Sequence, residues 1–434
     1  MNSNLQSAVD INSGIRSIFL SALDTIPVLG WLISPLVGFI WPTGQKALWN
    51  QIAQDAENQL QGLNQKIDQQ ALAAAQAAVE GLQNVMNTYV NAVATGDQTA
   101  SVLQTYYLDA TTALQQALPQ LQLSGYQTLL LPLYAQAVNL GVALYRDGAT
   151  PATAATLGFS PGDITDQTNA LNALVKAAIA YVNQWIPAGS TQVYNYEESQ
   201  LNTKDNNKNG GYPPGPGNYA GNSLWNAVNQ YNRYMTLAVS DFAFMWNYMQ
   251  DPAPAGPMPP NTREIYSDAM GCLYCYPPGS NRSYVSPPNG PLTSASNLAL
   301  ISNISIWGES YLASVQQDFG STSGPRRGMN GGNNTPADGY NGPVSATNPI
   351  AGVAVYAEGW VFNMQLQFQD GTMSNLCGGP SGGPTSWNFQ DEVVSQIYIE
   401  TVAQGAYAQP EANCAIIGFR LADSYAPPPA SSTT

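Results

Sequence analysis

The chain has 434 residues, 13 basic and 28 acidic side chains and no histidine, giving a formal charge of −15. Hydrophobic residues make up 44% and charged residues only 9%, which excludes a disordered chain and leaves solubility to uncharged polar side chains. The acidic balance excludes a nucleic-acid partner, which needs clustered Lys and Arg, and the missing histidine excludes Ser-His-Asp and Cys-His catalysis and histidine-ligated zinc.

The N-terminus lacks the basic region and small-residue cleavage site of a secretory signal. The chain is therefore expected to be made as a soluble cytoplasmic or deposited protein. Ile26 to Trp41 is apolar, but Gly30, Pro35 and Gly38 interrupt it and it is short for a membrane span. It reads as a buried helix with a bend rather than an anchor. Val79, Leu82, Met86, Tyr89 and Val93 then fall on one helical stripe.

Residues 99–118 carry Ser101, Thr105, Asp109, Thr112 and Gln116 on one helical face, and Leu103, Tyr107, Ala110, Leu114 and Ala117 on another. Pro119 is expected to end this helix. The next helix is apolar on nearly every side: Leu129 to Tyr145 (LLLPLYAQAVNLGVALY) holds no charge, and only Gln136 and Asn139 are strongly polar. Such a helix is either the centre of a large bundle or lipid-facing. Its length of about 25 Å falls a little short of a hydrocarbon core of ~30 Å, and Tyr126, Tyr145 and Arg146 are placed where interfacial residues would sit. Joined through the turn at 119–125, the two helices form a pair that can enter a bilayer if several copies turn their polar stripes to a common lumen. Asp109 must then face water. Between Lys66 and Arg146 no Lys or Arg occurs, so trypsin-like proteases have no site there.

A cap at Ser160, Pro161 and Asp163 starts a further helix expected to run to about Trp185. Asn202 to Gly217 is a turn-rich loop, after which helix returns from Trp225 to Tyr248, with Met235, Val239, Phe242 and Trp246 on one stripe. Beyond about residue 251, Gly, Pro, Ser and aromatic residues dominate and periodicity changes to strands. Phe362, Met364, Leu366 and Phe368 alternate with Asn363, Gln365 and Gln367; Ile417, Phe419 and Leu421 alternate with Gly418 and Arg420; Glu358-Gly359 and Asp370-Gly371 are hairpin signals. The expected domains are a helical one at 1–250 and a β one at 251–434.

Cys272 and Cys275, with Cys377 and Cys414, are read as free thiols or as including a Cys377–Cys414 disulfide; no metal and no cofactor is expected. Asp391-Glu392 invites a glycosidase reading, but two acids at a strand edge are ordinary solvated residues, and the protein is expected not to be an enzyme.

Several phrases resemble the three-domain delta-endotoxins, the insecticidal crystal toxins. They are Leu108 to Leu114 (LDATTAL) with Ala117-Leu118-Pro119, Leu131 to Leu140 (LPLYAQAVNL) followed by Arg146-Asp147, and Gly158-Phe159. Tyr231 to Asp241 (YNRYMTLAVSD) and Thr262 to Asp268 (TREIYSD) complete the set. The resemblance implies a seven-helix bundle around a central hydrophobic helix, followed by a β-prism of three antiparallel sheets similar to jacalin. It implies a toxin that binds a gut epithelial receptor, a glycoprotein or glycan, and inserts a helical hairpin, here Thr99 to Asp147, to form an oligomeric, cation-permeable pore in a target-cell bilayer. By the same resemblance Asp109 matches a lumen-side acid, with Ser101, Thr105, Thr112 and Gln116 as lining. Leu129, Leu130, Leu131, Leu133, Tyr134, Val138, Leu140, Val142 and Leu144 belong to the inserting helix, and Asp241 and Arg263 match an interdomain pair. Arg326, Arg327, Trp387 and Tyr407 are candidate receptor or glycan contacts, and Arg16 or the Lys204 to Lys208 loop offers protease sites. Where the family often has histidine after the Asn-Leu pair, this chain has Gly141. About 180 residues follow the junction, roughly one β domain, so a third domain is not expected. The alternative function is a non-lytic carbohydrate-binding lectin or storage protein with a helical scaffold.

Overall fold

The computed structural model describes residues 15–16, 69–205, 220–251, 258–271, 282–283, 300–328, 330–358, 360–379, 381–402 and 412–422. Ile26 to Trp41, Cys272, Cys275, Tyr407 and Lys208 lie outside these residues. The chain divides into two compact units.

The helical unit falls within Ser3–Val193 and Tyr234–Pro260. It contains α1 (Gln69–Thr95), α2 (Ala100–Gln120), α3 (Gln127–Ala149), the short α4 (Pro151–Thr156), most of α5 (Pro161–Asp205) and α7 (Asp241–Met249). The expected stripes are the ones buried: Val79, Leu82, Met86 and Tyr89 in α1, and Leu103, Tyr107, Ala110, Leu114 and Ala117 in α2. In α3 every residue from Thr128 to Ala149 is buried, so this helix is the centre of the unit. α5 begins as its sequence dictates: Pro161 occupies the first turn, Ser160 N–H donates to Asp163 at 2.8 Å, and Asp163 N–H donates back to Ser160 Oγ at 3.3 Å. It does not stop near Trp185 but continues through Pro187 to Asp205, because one proline removes one helix hydrogen bond and the turns on either side carry the rest.

The β unit falls within Tyr194–Arg233 and Asn261–Tyr425. Its three sheets are antiparallel throughout. One has the order β1 (Ile265–Tyr266), β14 (Ala412–Leu421), β13 (Glu392–Val402), β3 (Arg282–Ser283), with β2 (Met270–Gly271) also on β14. The second runs β11 (Cys377–Gly378), β10 (Val361–Phe368), β9 (Ile350–Ala357), β12 (Gly383–Asn388). The third runs β6 (Thr322–Ser323), β5 (Leu312–Phe319), β4 (Ile301–Gly308), β8 (Tyr340–Pro343), with β7 (Arg327–Gly328) on β5. Three antiparallel sheets are what the resemblance implied for this part of the chain.

The alternation in β10 needs one correction. A bulge between Val361 and Asn363 shifts the register by one residue, which turns side chains to the opposite face. Asn363 is consequently buried, and Phe362 is half-buried against Tyr311, ring centroids 5.3 Å apart. β14 is buried along its whole length, both faces covered. One cover is α6 (Ala220–Met235), whose residues up to Arg233 belong to this unit. Trp225 packs on Ala269, Tyr398, Cys414 and Ile416. Asn229 donates to Tyr266 O and Ser267 O at 3.2 and 2.9 Å, and Arg233 pairs with Asp268 at 3.1 Å. A short π turn, Thr236–Ser240, separates α6 from α7.

A candidate membrane-entry hairpin

α2 and α3 are joined by a turn in which Gly125 takes a positive φ of 84°. Pro119 sits in the last turn of α2, which ends one residue later at Gln120. Ser101, Thr105, Asp109, Thr112 and Gln116 are all exposed and share one side of α2. The hydroxyls of Thr105 and Thr112 donate to the Ser101 and Leu108 carbonyls, both at 2.9 Å, so they are satisfied within the helix. Leu108, beside Asp109, is 48% exposed.

α3 turns the opposite character inward. Leu129, Leu130, Leu131, Leu133, Tyr134, Val138, Leu140, Val142 and Leu144 are all at most 4% exposed, and α3 is long and apolar enough to cross a membrane. Gly141 lets its neighbours close in: a Cβ there would lie 2.7 Å from a Leu114 methyl and 2.8 Å from a Leu174 methyl. Gly148 does the same for the Tyr107 hydroxyl, which donates to Gln167 at 2.8 Å. Several polar groups of α3 are matched inside the unit. Asn139 Nδ2 donates to Gln136 Oε1 at 2.9 Å, Trp246 Nε1 donates to Asn139 Oδ1 at 2.7 Å, and Arg146 Nη1 donates to the Met249 carbonyl at 2.7 Å. Tyr145 and Arg146, placed by sequence at interfaces, are buried here, Tyr145 taking a hydrogen bond from Gln115 at 3.1 Å.

The remaining predicted residues have their own surroundings. Asp241 is bound by Arg16 at 3.0 Å, with both side chains buried. Arg16 is therefore not the accessible cleavage point expected for it. Arg263 grips Glu392 through both guanidinium nitrogens, so the Glu392 carboxylate is occupied, while its neighbour Asp391 is a turn residue with φ of 65°. Arg326 and Arg327 do not form one basic patch. Arg326 lies 3.9 Å over the Trp307 ring and donates to Ser314 Oγ and Gly331 O, whereas Arg327 lies 4.7 Å over the Tyr398 ring. Burial lowers the Arg327 guanidinium to about 10. Trp387, expected to offer its ring to a sugar, is 7% exposed, with Arg233 at 4.9 Å on its ring and Phe389 beside it. Its stacking face is used inside the unit. Cys377 and Cys414 are free and buried, which removes the disulfide between them, and burial raises the Cys377 thiol to about 12. Among the described residues, no cluster of Cys, Asp and Glu could hold a metal ion.

Sequence inspection missed Glu264. Burial raises its carboxyl above the usual range even though Ser395 and Tyr398 donate to it, Tyr398 at 3.0 Å. The partnership of Trp246 with Asn139 was also missed, although an indole N–H and an isolated amide in two apolar helices each need a buried partner.

Residues 18–213 match the model of the delta endotoxin N-terminal domain. The helical part of this chain is similar to that domain over those residues. Among curated relatives, the pesticidal crystal protein Cry1Ia of Bacillus thuringiensis subsp. kurstaki is 26% identical over 307 residues, 68% of this chain but 38% of its own length. Cry1Aa of the same subspecies is 26% identical over 269 residues, 60% of this chain and 20% of its own. The chain thus spans well under half the length of these curated relatives. Among solved structures, the insecticidal crystal protein Cry7Ca1 of Bacillus thuringiensis superposes with a TM-score of 0.68 at 15% identity, over 96% of this chain and 75% of that one. PirB superposes with a TM-score of 0.64 at 14% identity, over 94% and 93%. The delta-endotoxin fold, a helical unit with a central apolar helix and a unit of antiparallel sheets, therefore extends over nearly the whole chain.

Proposed function

We propose that this protein is a pore-forming insecticidal toxin. Its working parts are a helical pore-forming domain at 1–250 and a β-prism receptor-binding domain at 251–434. The prism docks on a receptor, a glycoprotein or glycan of the gut epithelium, and several copies assemble at the bilayer. The hairpin of α2 and α3 then enters lipid. The observation that carries this reading is the pairing of a wholly buried, charge-free run in α3 with an exposed, nearly uncharged polar face on α2. Packing around α3 in water and hydrocarbon around α3 in a membrane satisfy the same apolar side chains, and the backbone hydrogen bonds stay inside the helices in both states. The relatives' description as pesticidal crystal proteins supports the same reading.

In the pore, Ser101, Thr105, Asp109, Thr112 and Gln116 line the lumen, and Asp109 favours cations. Asp241 and Arg263, matched by the resemblance as a pair, are each held by another partner, Arg16 and Glu392, and Arg326 is the retained candidate for receptor contact. Single-channel recording in planar bilayers tests the lumen assignment. Asp109→Asn is expected to lower cation selectivity and conductance, because one negative charge per subunit is lost from the water path. Unchanged selectivity and conductance would remove Asp109 from the lumen.

A further inference from the structure

α3 is held in its bundle by two kinds of interaction that lipid treats differently. Its leucines and valines lose little on leaving, since hydrocarbon tails are as apolar as the side chains they replace. Buried polar bonds are not replaced by lipid. Among the described residues, such bonds joining α3 or α2 to neighbouring helices include the following. Gln115 to Tyr145 joins α2 to α3 and travels with the hairpin. Tyr107 to Gln167 lies at a part-buried position, where water can substitute. Arg146 to the Met249 carbonyl is at the end of α3, where headgroups and water can take over. Trp246 Nε1 to Asn139 Oδ1, at 2.7 Å, is the deep one: both residues are 0% exposed and Asn139 lies at the middle of α3.

α7, which supplies Trp246, is itself pinned at its first residue by the Arg16–Asp241 pair. It follows the π turn at Thr236–Ser240, an irregularity of the kind that concentrates at functional positions. We propose that the Trp246–Asn139 hydrogen bond is a latch that sets the rate at which α3 leaves the bundle. This rests on the proposed insertion of the hairpin and adds what regulates it. Trp246 acts as a positioning residue: it keeps α3 seated until α7 moves, and its N–H is the group that must be given up.

The test uses the full chain and calcein-loaded vesicles of phosphatidylcholine and phosphatidylglycerol, with a lipid-soluble photolabel read out on α3. Trp246→Phe keeps an aromatic ring and removes the donor. It is expected to release dye about two- to tenfold faster than wild type, the range of one hydrogen bond lost from the starting state alone, with the same final labelling of α3. Val79→Ala, a buried change in α1, serves as the control for general loosening, the two variants being compared at equal loss of urea resistance. The latch is supported if Trp246→Phe is faster than that control. It is overturned if Trp246→Phe releases dye at the wild-type rate, or if both variants speed release equally for equal loss of stability. A wild type that neither releases dye nor takes up label overturns the insertion reading itself, a result distinct from either of those.

Discussion

Several single side chains in this protein are committed to buried electrostatic duties that their sequence context does not advertise. Arg263 follows a proline-rich stretch, yet it supplies both guanidinium nitrogens to Glu392, whose side chain is 2% exposed. Removing a cation from a buried carboxylate costs more than the pair contributes net, because desolvation of the acid remains. Arg263→Ala is expected to destabilise the β unit by about 3 kcal/mol, measured as a lower urea midpoint with unchanged slope. A midpoint within error of wild type would show the carboxylate to be adequately solvated without it. Trp387 and Arg327 make the complementary point. Both were legible as unusual residues, an aromatic and a cation in a glycine-rich region, but not as buried ones. Aromatic faces attract guanidinium groups, and here Arg233 and Tyr398 provide those partners from remote segments. Partners so far apart along the chain leave no local pattern.

At the scale of elements, helices were legible where burial follows a 3.6-residue period. α2 has the expected buried and exposed faces, and α3 is buried on all sides because it is apolar on nearly all sides. The length of α5 was not legible, since a proline marks a weak point without deciding whether the helix stops. The face of Phe362 was not legible either, because a bulge is set by pairing with β9 and leaves the alternation of residue types intact. Gly141 belongs at this scale too. Leu114 of α2 and Leu174 of α5 both occupy the space its side chain would need. Gly141→Ala meets only the mobile ends of leucines and gains helix propensity of about 1 kcal/mol, so the two effects oppose. Gly141→Val adds a β-branched side chain between the same leucines and is expected to cost about 2 kcal/mol, read by urea unfolding followed by circular dichroism. A variant as stable as wild type would mean that the three helices separate readily at this point.

For the whole molecule, the change from Ala, Leu and Gln to Gly, Pro and aromatic residues marked a helical part and a β part. That composition could not show which unit claims α6 up to Arg233. Trp225, Asn229 and Arg233 bind the strands through an indole and polar side chains, and a helix covering a sheet in this way has no special composition. The absence of histidine has a whole-molecule consequence as well. Without imidazoles, a response to pH falls on carboxyls, thiols or, at strongly alkaline pH, tyrosines, and among the carboxyls burial favours the protonated form of Glu264. The central claim remains that α3 exchanges a protein environment for a lipid one. It is tested most directly by labelling with a lipid-soluble photoreactive probe, first with the protein in water among empty vesicles and then in the pore-forming state, with the label mapped by peptide sequencing. The account predicts no label on Leu129 to Leu144 in the first condition and dense label along that stretch in the second; a stretch that stays unlabelled while the membrane leaks would contradict it.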